Sequence, residues 1–152
     1  MKSFATLALL ALAMSVPPAA GQAQAPSATT AQRVNVRAGP ARDYPVVTVL
    51  PAAYVVAVQG CLPEYIWCDV VAGSSRGWVY AGNLDYFHQG RHVPLPEYGS
   101  AAGVAVVGFI LEDYWRQHYQ DRPWYSERDR WAFRAGPPPL PRVRRPQPQE
   151  LR

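Results

Sequence analysis

Few residues in this chain could do covalent or metal chemistry, and their spacing favours none. The cysteines are Cys61 and Cys68. A cysteine peptidase needs a free nucleophile, but two cysteines this close in sequence favour a disulfide in an oxidising compartment. Free buried thiols are the alternative. A zinc site is disfavoured because there is no second cysteine pair and there are only three histidines.

The histidines and the adjacent acids fit solvated positions better than a catalytic site. His88 and His92 have the spacing of ligands on a helix, but the glycine between them and the following Pro94 disfavour a helix there. Glu112 and Asp113 are neighbours and do not face one another on a helix, whereas a glycosidase needs two carboxylates across a cleft. We therefore predict no catalytic residue, no metal site and no cofactor.

Aromatic rings and arginines remain, and these residue types bind ligands rather than transform them. Aromatic faces stack on sugar rings and clasp peptides, and arginine pairs with carboxylates in a bidentate way. Lysine is almost absent, so arginine carries the net charge of +4.

The N-terminus has the pattern of a secretory signal peptide. Lys2 supplies a positive charge, an apolar run extends from Ala5 to Ala13, and small residues follow. We expect cleavage after Ala23; a buried core helix is the alternative. This predicts an exported protein, periplasmic or secreted, with no transmembrane segment in the mature chain. Outside the cytoplasm, basic residues favour an anionic envelope polymer over nucleic acid.

The middle of the chain alternates short apolar runs with turn residues, as in a small all-β domain. Val34 and Val36 alternate with polar residues, which predicts a strand with both valines buried. Further strands are expected over residues 46–50, 54–58, 66–71 and 78–80. Five or six short strands at this spacing favour a small barrel.

Alternation and loop position leave several aromatic residues outside this barrel as candidate ligand contacts. The candidates are Tyr44, Tyr65, Trp67, Trp78 and Tyr80, with Arg37, Arg42 and Arg76 as partners for carboxylates. We expect Trp67 and Tyr44 to line one groove. A partly buried role in the core is the alternative for Trp67 and Trp78.

Several motifs in this stretch resemble the bacterial SH3 (SH3b) family. They are Val-Asn-Val-Arg-Ala-Gly-Pro at residues 34–40, Tyr-Pro-Val at 44–46, Leu-Pro at 50–51, Trp-x-x-Val at 67–70 and Gly-Trp-Val at 77–79, followed by Leu84. Ala53 departs from the glycine that is usual before the next strand. The resemblance implies a small SH3-like β-barrel that binds cell-wall or other envelope ligands and does no chemistry itself.

The chain after residue 100 is rich in aromatic residues and arginines. The apolar run from Ala101 to Leu111 is too short to span a bilayer, and we expect a further strand there, with a membrane-contacting segment as the alternative. Acids precede cations over residues 112–119, which predicts a short helix. The pattern is similar to the tails of exported SH3b proteins from alphaproteobacteria. Candidate contacts in this region are Trp115, Tyr119, Arg122, Trp124, Tyr125 and Trp131.

These patterns divide the chain into six segments. They are a signal peptide (1–23), a linker (24–32), an SH3b domain (33–88), a linker (89–100), an aromatic and arginine-rich extension (101–135) and a Pro/Arg-rich tail (136–152). The tail is expected to be disordered or extended. Its Pro138-x-x-Pro141-Arg142 motif resembles the ligands of eukaryotic SH3 domains, so docking of the tail onto the barrel is an alternative.

The sequence as a whole predicts an exported, non-enzymatic binding protein. Its disulfide-bonded SH3b barrel would bind peptidoglycan or another envelope ligand. The alternative is a scaffold protein that uses the arginine-rich and aromatic extension to dock onto another envelope protein.

Overall fold

Eight antiparallel strands and a short helical C-terminal region make up the computed structural model, which describes residues 25–132. The strands are β1 (Ser27–Thr30), β2 (Val34–Arg37), β3 (Val46–Leu50), β4 (Val55–Cys61), β5 (Trp67–Ala72), β6 (Ser75–Tyr80), β7 (Leu84–His88) and β8 (Arg91–Pro94). The helices are α1 (Leu95–Tyr98), α2 (Leu111–His118) and α3 (Asp129–Ala132), with short 3₁₀ turns at Pro63–Tyr65, Ala81–Asn83 and Pro123–Glu127. The predicted signal peptide and the Pro/Arg-rich tail lie outside the described residues.

The strands form one sheet in the order β3-β2-β6-β5-β4-β1-β7-β8. The chain is mainly β, as predicted, and the predicted domain 33–88 holds six strands, β2 to β7; with β1 and β8 the sheet has eight. In the described part of the chain no ladder joins the edge strands β3 and β8, so closure of the sheet into the expected barrel is not shown. The additional strands come from segments that the sequence assigns to linkers.

Strand β1 lies within the segment 24–32 that was expected to be a linker. It pairs with β4 through Ser27 and Ala57, and with β7 through Thr30 and Leu84. Thr30 is buried, and its Oγ1 donates a hydrogen bond to the Pro51 carbonyl at 2.7 Å. The sequence of this strand, Ser-Ala-Thr-Thr, has almost no apolar pattern that would predict it. Backbone hydrogen bonds to two neighbouring strands hold it in place instead.

A hairpin and a helical turn occupy the segment 89–100, which was also expected to be a linker. Strands β7 and β8 are joined at Gln89 and Gly90, whose φ angles are 47° and 83°. Two-residue hairpins require positive φ angles of this kind. Val93 in β8 and Leu95 in α1 are buried, so the segment contributes to the core.

The main core lies on the inner face of the sheet and contains the predicted valines. Val34 and Val36 are buried there, as the alternation predicts. Cys61 and Cys68 pair across β4 and β5 and form a disulfide, so that prediction is confirmed. The crosslink therefore lies inside the core.

The apolar run over residues 101–111 makes one bridge to the sheet instead of the expected strand. The amide of Cys61 donates to the Ala105 carbonyl at 2.9 Å, and the amide of Val107 donates to the Cys61 carbonyl at 2.8 Å. Gly60 makes this approach possible, because a Cβ atom there would lie 2.5 Å from the Val107 side chain. The positive φ of Gly103, 71°, interrupts the extended backbone earlier in the run.

Helix α2 confirms the short helix that the charge pattern predicts. Its Trp115, together with the following Tyr119, is buried against Ala38 and Tyr44 of the β2–β3 connection. This second core joins the extension to the outer face of the sheet. Among residues 25–132, every helix is too short or too polar to cross a membrane.

Candidate functional site

The outer face of β2, β6 and β5 carries most of the residues that the sequence singles out. Arg37 and Asp69 each pair with Trp78 from the neighbouring strands, and Trp67 pairs with Tyr80. Directly paired residues of antiparallel strands lie on the same face of a sheet. The C-terminal extension covers one half of this face and leaves the other half open.

Trp78 lies in the covered half and is only 1% exposed. Its ring packs against Phe109 and Tyr114 of the extension, with centroid distances of 5.4 Å and 5.9 Å. Tyr44 is also buried, against Phe109 and Trp115. Both aromatic residues were expected to contact ligand, but they pack against the extension instead. Tyr44 therefore does not line an open groove together with Trp67.

Arg76 is bound within the chain rather than offered to a ligand carboxylate. Its Nη2 lies 2.6 Å from Oδ2 of Asp69, a carboxylate that is 4% exposed. The Tyr114 hydroxyl donates to the other oxygen of Asp69 at 2.6 Å. The hydrogen bond to Asp69 raises the pKa of Arg76, and burial raises the pKa of Tyr114 far above its usual value. The three groups form a closed polar network beneath α2.

Two candidates of the extension donate hydrogen bonds to backbone carbonyls, one in the β2–β3 connection and one in the sheet. The Trp115 indole Nε1 donates to the Ala38 carbonyl at 2.7 Å, and the Tyr119 hydroxyl donates to the Arg76 carbonyl at the same distance. Both residues were expected to contact a partner at the surface, but their side chains are buried. Burial also raises the pKa of Tyr119 and lowers that of His118.

The remaining extension candidates surround Trp115. Trp124 and Trp131 are half-buried, with ring centroids 4.7 Å and 5.4 Å from that of Trp115. Tyr125 lies under the guanidinium of Arg128 at 5.1 Å. The half-buried Arg122 follows Tyr119 and donates its amide to that residue's carbonyl. Most of these aromatic rings therefore complete the second core.

The open half of the face forms a cleft of about 320 Å³, which we call the arginine cleft. Its lining comprises Gln32, Arg33, Val34, Asn35, Arg37, Arg42, Trp67, Tyr80 and Asn83. The rings of Trp67 and Tyr80 meet edge to face, with centroids 5.8 Å apart. Tyr80 is 42% exposed, so an aromatic surface is available to ligand.

The arginine cleft is electropositive. Among the described residues that line it there are three arginines and no carboxylate. Arg37 is fixed by a hydrogen bond from its Nη1 to the Tyr44 carbonyl at 2.9 Å. Gln32 donates to the side-chain oxygen of Asn83 at 2.8 Å on the cleft rim. This arrangement offers donors, positive charge and aromatic surface.

The sequence identified Trp67, Tyr80, Arg37 and Arg42 as candidates, and the structure brings these four together. Arg33 was missed, although it shares the parity of Arg37 along β2 and alternation alone points to it. Gln32 and Asn83 lie far apart in sequence and carried no signal.

Tyr65 lies away from the cleft, contrary to its selection as a ligand contact. Its hydroxyl donates to the Val104 carbonyl at 3.3 Å, and its ring packs over Gly99, where a Cβ atom would lie 2.4 Å from the ring. Tyr65 therefore binds the first residues of the extension to the rest of the chain. Within residues 25–132 there is no group of three or more His, Cys, Asp or Glu side chains that could hold a metal ion.

Comparison with known proteins gives one match. Residues 32–85, about a third of the chain, match the family described as the bacterial SH3 domain. No curated protein and no solved structure matches the chain. The matched stretch begins after β1 and ends within β7, so β1, β8 and the extension lie outside it. The face that carries the arginine cleft therefore belongs to a bacterial SH3 domain at residues 32–85, a non-catalytic module that typically binds cell-wall ligands.

Proposed function

We propose that this protein is an exported, non-enzymatic binding module whose arginine cleft binds an anionic envelope polymer, with peptidoglycan as the first candidate. One observation carries the proposal. The open half of the sheet face places three arginines beside the half-buried Trp67 and the exposed Tyr80. Domains of the matched family typically bind the cell wall, which supports an envelope polymer as the ligand.

The chemistry of peptidoglycan suits this cleft. Its sugar rings present apolar faces to aromatic side chains, and its stem peptides carry carboxylates that arginine binds in a bidentate way. Small-ligand sites occupy roughly 300–1,000 Å³, so a cleft of about 320 Å³ is suited to one short fragment of the polymer. Arg33 and Arg42 both line the cleft and are exposed, so they are accessible to such a fragment.

Export is supported by the disulfide together with the matched family. A bacterial SH3 domain and a disulfide are typical of extracytoplasmic proteins. The signal-peptide pattern over residues 1–23 points in the same direction. The scaffold alternative receives less support, because Trp115 and Tyr119 are engaged within the chain and are not available to a partner.

The test is sedimentation of the full-length protein with purified sacculi, with Trp67→Ala as the central variant. We expect the affinity to fall about tenfold, or by about 1.4 kcal/mol, because large aromatic residues at the centre of a binding site are among the few whose truncation costs more than about 1 kcal/mol. Phe87→Ala is the matched control, since Phe87 is an exposed aromatic residue of the same sheet that does not line the cleft. Far-UV circular dichroism verifies that each variant is folded.

Point variants are preferable to a chain that ends at His88. Such a truncation removes the extension and uncovers Trp78 and Tyr44, so a change in binding would have two causes. Wild-type affinity in both Trp67→Ala and Arg33→Ala would remove the cleft from the proposal. Failure of the wild-type protein itself to sediment would direct the search to an envelope protein partner.

A further inference from the structure

We infer that the C-terminal extension positions the arginine cleft by clamping the loop that supplies two of its three arginines. This loop, residues 37–45, is called the arginine loop below. It begins at Arg37 and carries Arg42 near its centre, and both side chains line the cleft. The inference rests on the proposed function for its effect on binding, whereas the clamp itself can be measured without a ligand.

The arginine loop is first closed by its own bonds. The amide of Ala38 donates to the Pro45 carbonyl at 2.9 Å, and Arg37 Nη1 donates to the Tyr44 carbonyl at 2.9 Å. The Tyr44 ring lies directly over Gly39, where a Cβ atom would approach the ring to 2.7 Å. The position of the Tyr44 backbone therefore determines where the Arg37 guanidinium lies.

The extension then holds the loop at three places. At its start, the buried Trp115 Nε1 donates to the Ala38 carbonyl at 2.7 Å. Near its end, the Tyr44 ring meets Phe109 and Trp115 edge to face, with centroid distances of 5.8 Å and 6.4 Å. Next to Tyr44, Trp131 Nε1 donates to the carbonyl of Asp43, the residue after Arg42, at 3.4 Å.

A clamped loop binds more tightly than a free one because less conformational entropy is lost on binding. Fixing a residue's backbone costs conformational entropy, and pre-organisation removes part of that cost from the binding step. Trp115 and Trp131 do not line the cleft, so their effect on a ligand passes through the loop. They are positioning residues, and the extension belongs functionally to the binding module.

If Trp115 only stabilised the extension, deleting its hydrogen bond would have the same effect as deleting any other bond between the extension and the rest of the chain. The chain offers a matched control in Tyr119, whose hydroxyl also donates to a backbone carbonyl at 2.7 Å, but to Arg76 in the sheet. Trp115→Phe and Tyr119→Phe each delete one such hydrogen bond from the extension. Only the first deletion touches the arginine loop.

The experiment compares full-length Trp115→Phe, Trp131→Phe and Tyr119→Phe with the wild type in two measurements. The first is amide hydrogen exchange at Ala38 and Ala41, whose amides donate to carbonyls within the arginine loop, and it needs no ligand. The second is the affinity for purified sacculi. We expect Trp115→Phe and Trp131→Phe to raise loop exchange and to weaken binding, each by about three- to tenfold, the range that loss of one hydrogen bond gives. Tyr119→Phe should leave both quantities at the wild-type level.

Three results would overturn the inference. Unchanged loop exchange in both tryptophan variants would show that the extension does not clamp the loop. Faster exchange with unchanged affinity would show that the clamp does not position the cleft. Equal effects in Tyr119→Phe would assign the change to general loss of stability. If Trp115→Phe does not fold, the more exposed Trp131 carries the test. If wild-type protein does not bind sacculi, the proposed function fails and loop exchange alone decides the clamp.

Discussion

At the scale of single residues, the buried carboxylate of Asp69 connects the sheet to the extension. Burying a charge is costly unless it is paired and hydrogen-bonded. Here Arg76 from β6 and Tyr114 from α2 supply donors to the same carboxylate. The extension therefore completes a polar site that the sheet alone would leave half-satisfied.

Tyr114 makes the stability of this site sensitive to alkaline pH. Burial raises its pKa in the folded state above the usual 10.0. A group whose pKa is raised by folding contributes stability below its unfolded pKa, and this contribution is lost as the pH rises above that value. We expect the urea midpoint to fall from about pH 10 upward. Tyr119, whose pKa is raised by burial as well, acts in the same direction.

Urea unfolding between about pH 8 and about pH 11 checks this expectation. Tyr114→Phe removes the ionising hydroxyl, so its midpoint should start lower, through loss of the bond to Asp69, and then decline less steeply with pH. The exposed Tyr54→Phe serves as the control. A decline as steep in Tyr114→Phe as in the wild type would show that Tyr114 does not carry the effect.

At the scale of elements, α2 has a weak N-terminus. Ile110 occupies the N-cap position with an extended backbone and makes no capping hydrogen bond with its side chain. Glu112 and Asp113 lie in the first turn and favour the positive end of the helix dipole. The helix is therefore held mainly by the packing of its buried face and could be strengthened at its start.

Ile110→Ser is expected to stabilise the protein. A serine in the N-cap position can accept a hydrogen bond from a free amide of the first turn, which contributes about 1 kcal/mol. Loss of the isoleucine costs little because its side chain is 66% exposed. The free energy of unfolding from urea titration measures the change. Ile110→Ala removes the same side chain without adding a cap, and equal stability of the two variants would contradict the prediction.

The elements that the sequence predicted correctly have strong periodicity. Alternation identified β2, and the charge order identified α2. Strand β1 and the hairpin strand β8 were missed because they are short and mostly polar, and backbone pairing rather than an apolar pattern fixes them. The β-branched run over residues 101–111 favoured a strand, but two glycines and the approach to Gly60 led to a single bridge.

The candidate site was predictable only in part for a related reason. Alternation places Trp67, Trp78 and Tyr80 on the outer face, and the structure agrees. Whether a residue on that face is exposed or buried depends on where the extension packs against the sheet. That packing is a tertiary contact, and no local sequence pattern predicts it. Trp78 and Tyr80 differ by two positions along one strand, yet only Tyr80 reaches the surface.

At the scale of the whole molecule, the two cores are parts of one structure. The neighbouring positions Val36 and Ala38 contribute to the main core and to the second core, respectively. Gly77 lies between the two cores, and there is no space for a side chain there. A Cβ atom at this position would lie 2.6 Å from the Arg37 carbonyl and 3.1 Å from the Tyr119 hydroxyl. Loss of one core would expose the other.

We therefore expect the sheet and the extension to unfold in a single transition. Pulsed amide exchange along a urea titration measures β5 and α2 separately, and their midpoints should coincide. Phe109→Ala removes a ring that packs on both Tyr44 and Trp78, so it should lower both midpoints by the same amount. An extension that unfolds at a lower urea concentration than β5 would contradict this expectation.

The place of β1 has a consequence for the order in which the protein assembles. The first described strand lies between β4 and β7, which are synthesised later. As the chain grows from its N-terminus, Ser27–Thr30 can pair with one neighbour only after residues 55–57 have been made, and with the other only after Leu84 and Asp85 have been made. Such distant pairing slows folding and leaves strand edges open in the meantime. Proteolysis even a few residues into β1 would separate β4 from β7 and divide the finished sheet in its interior.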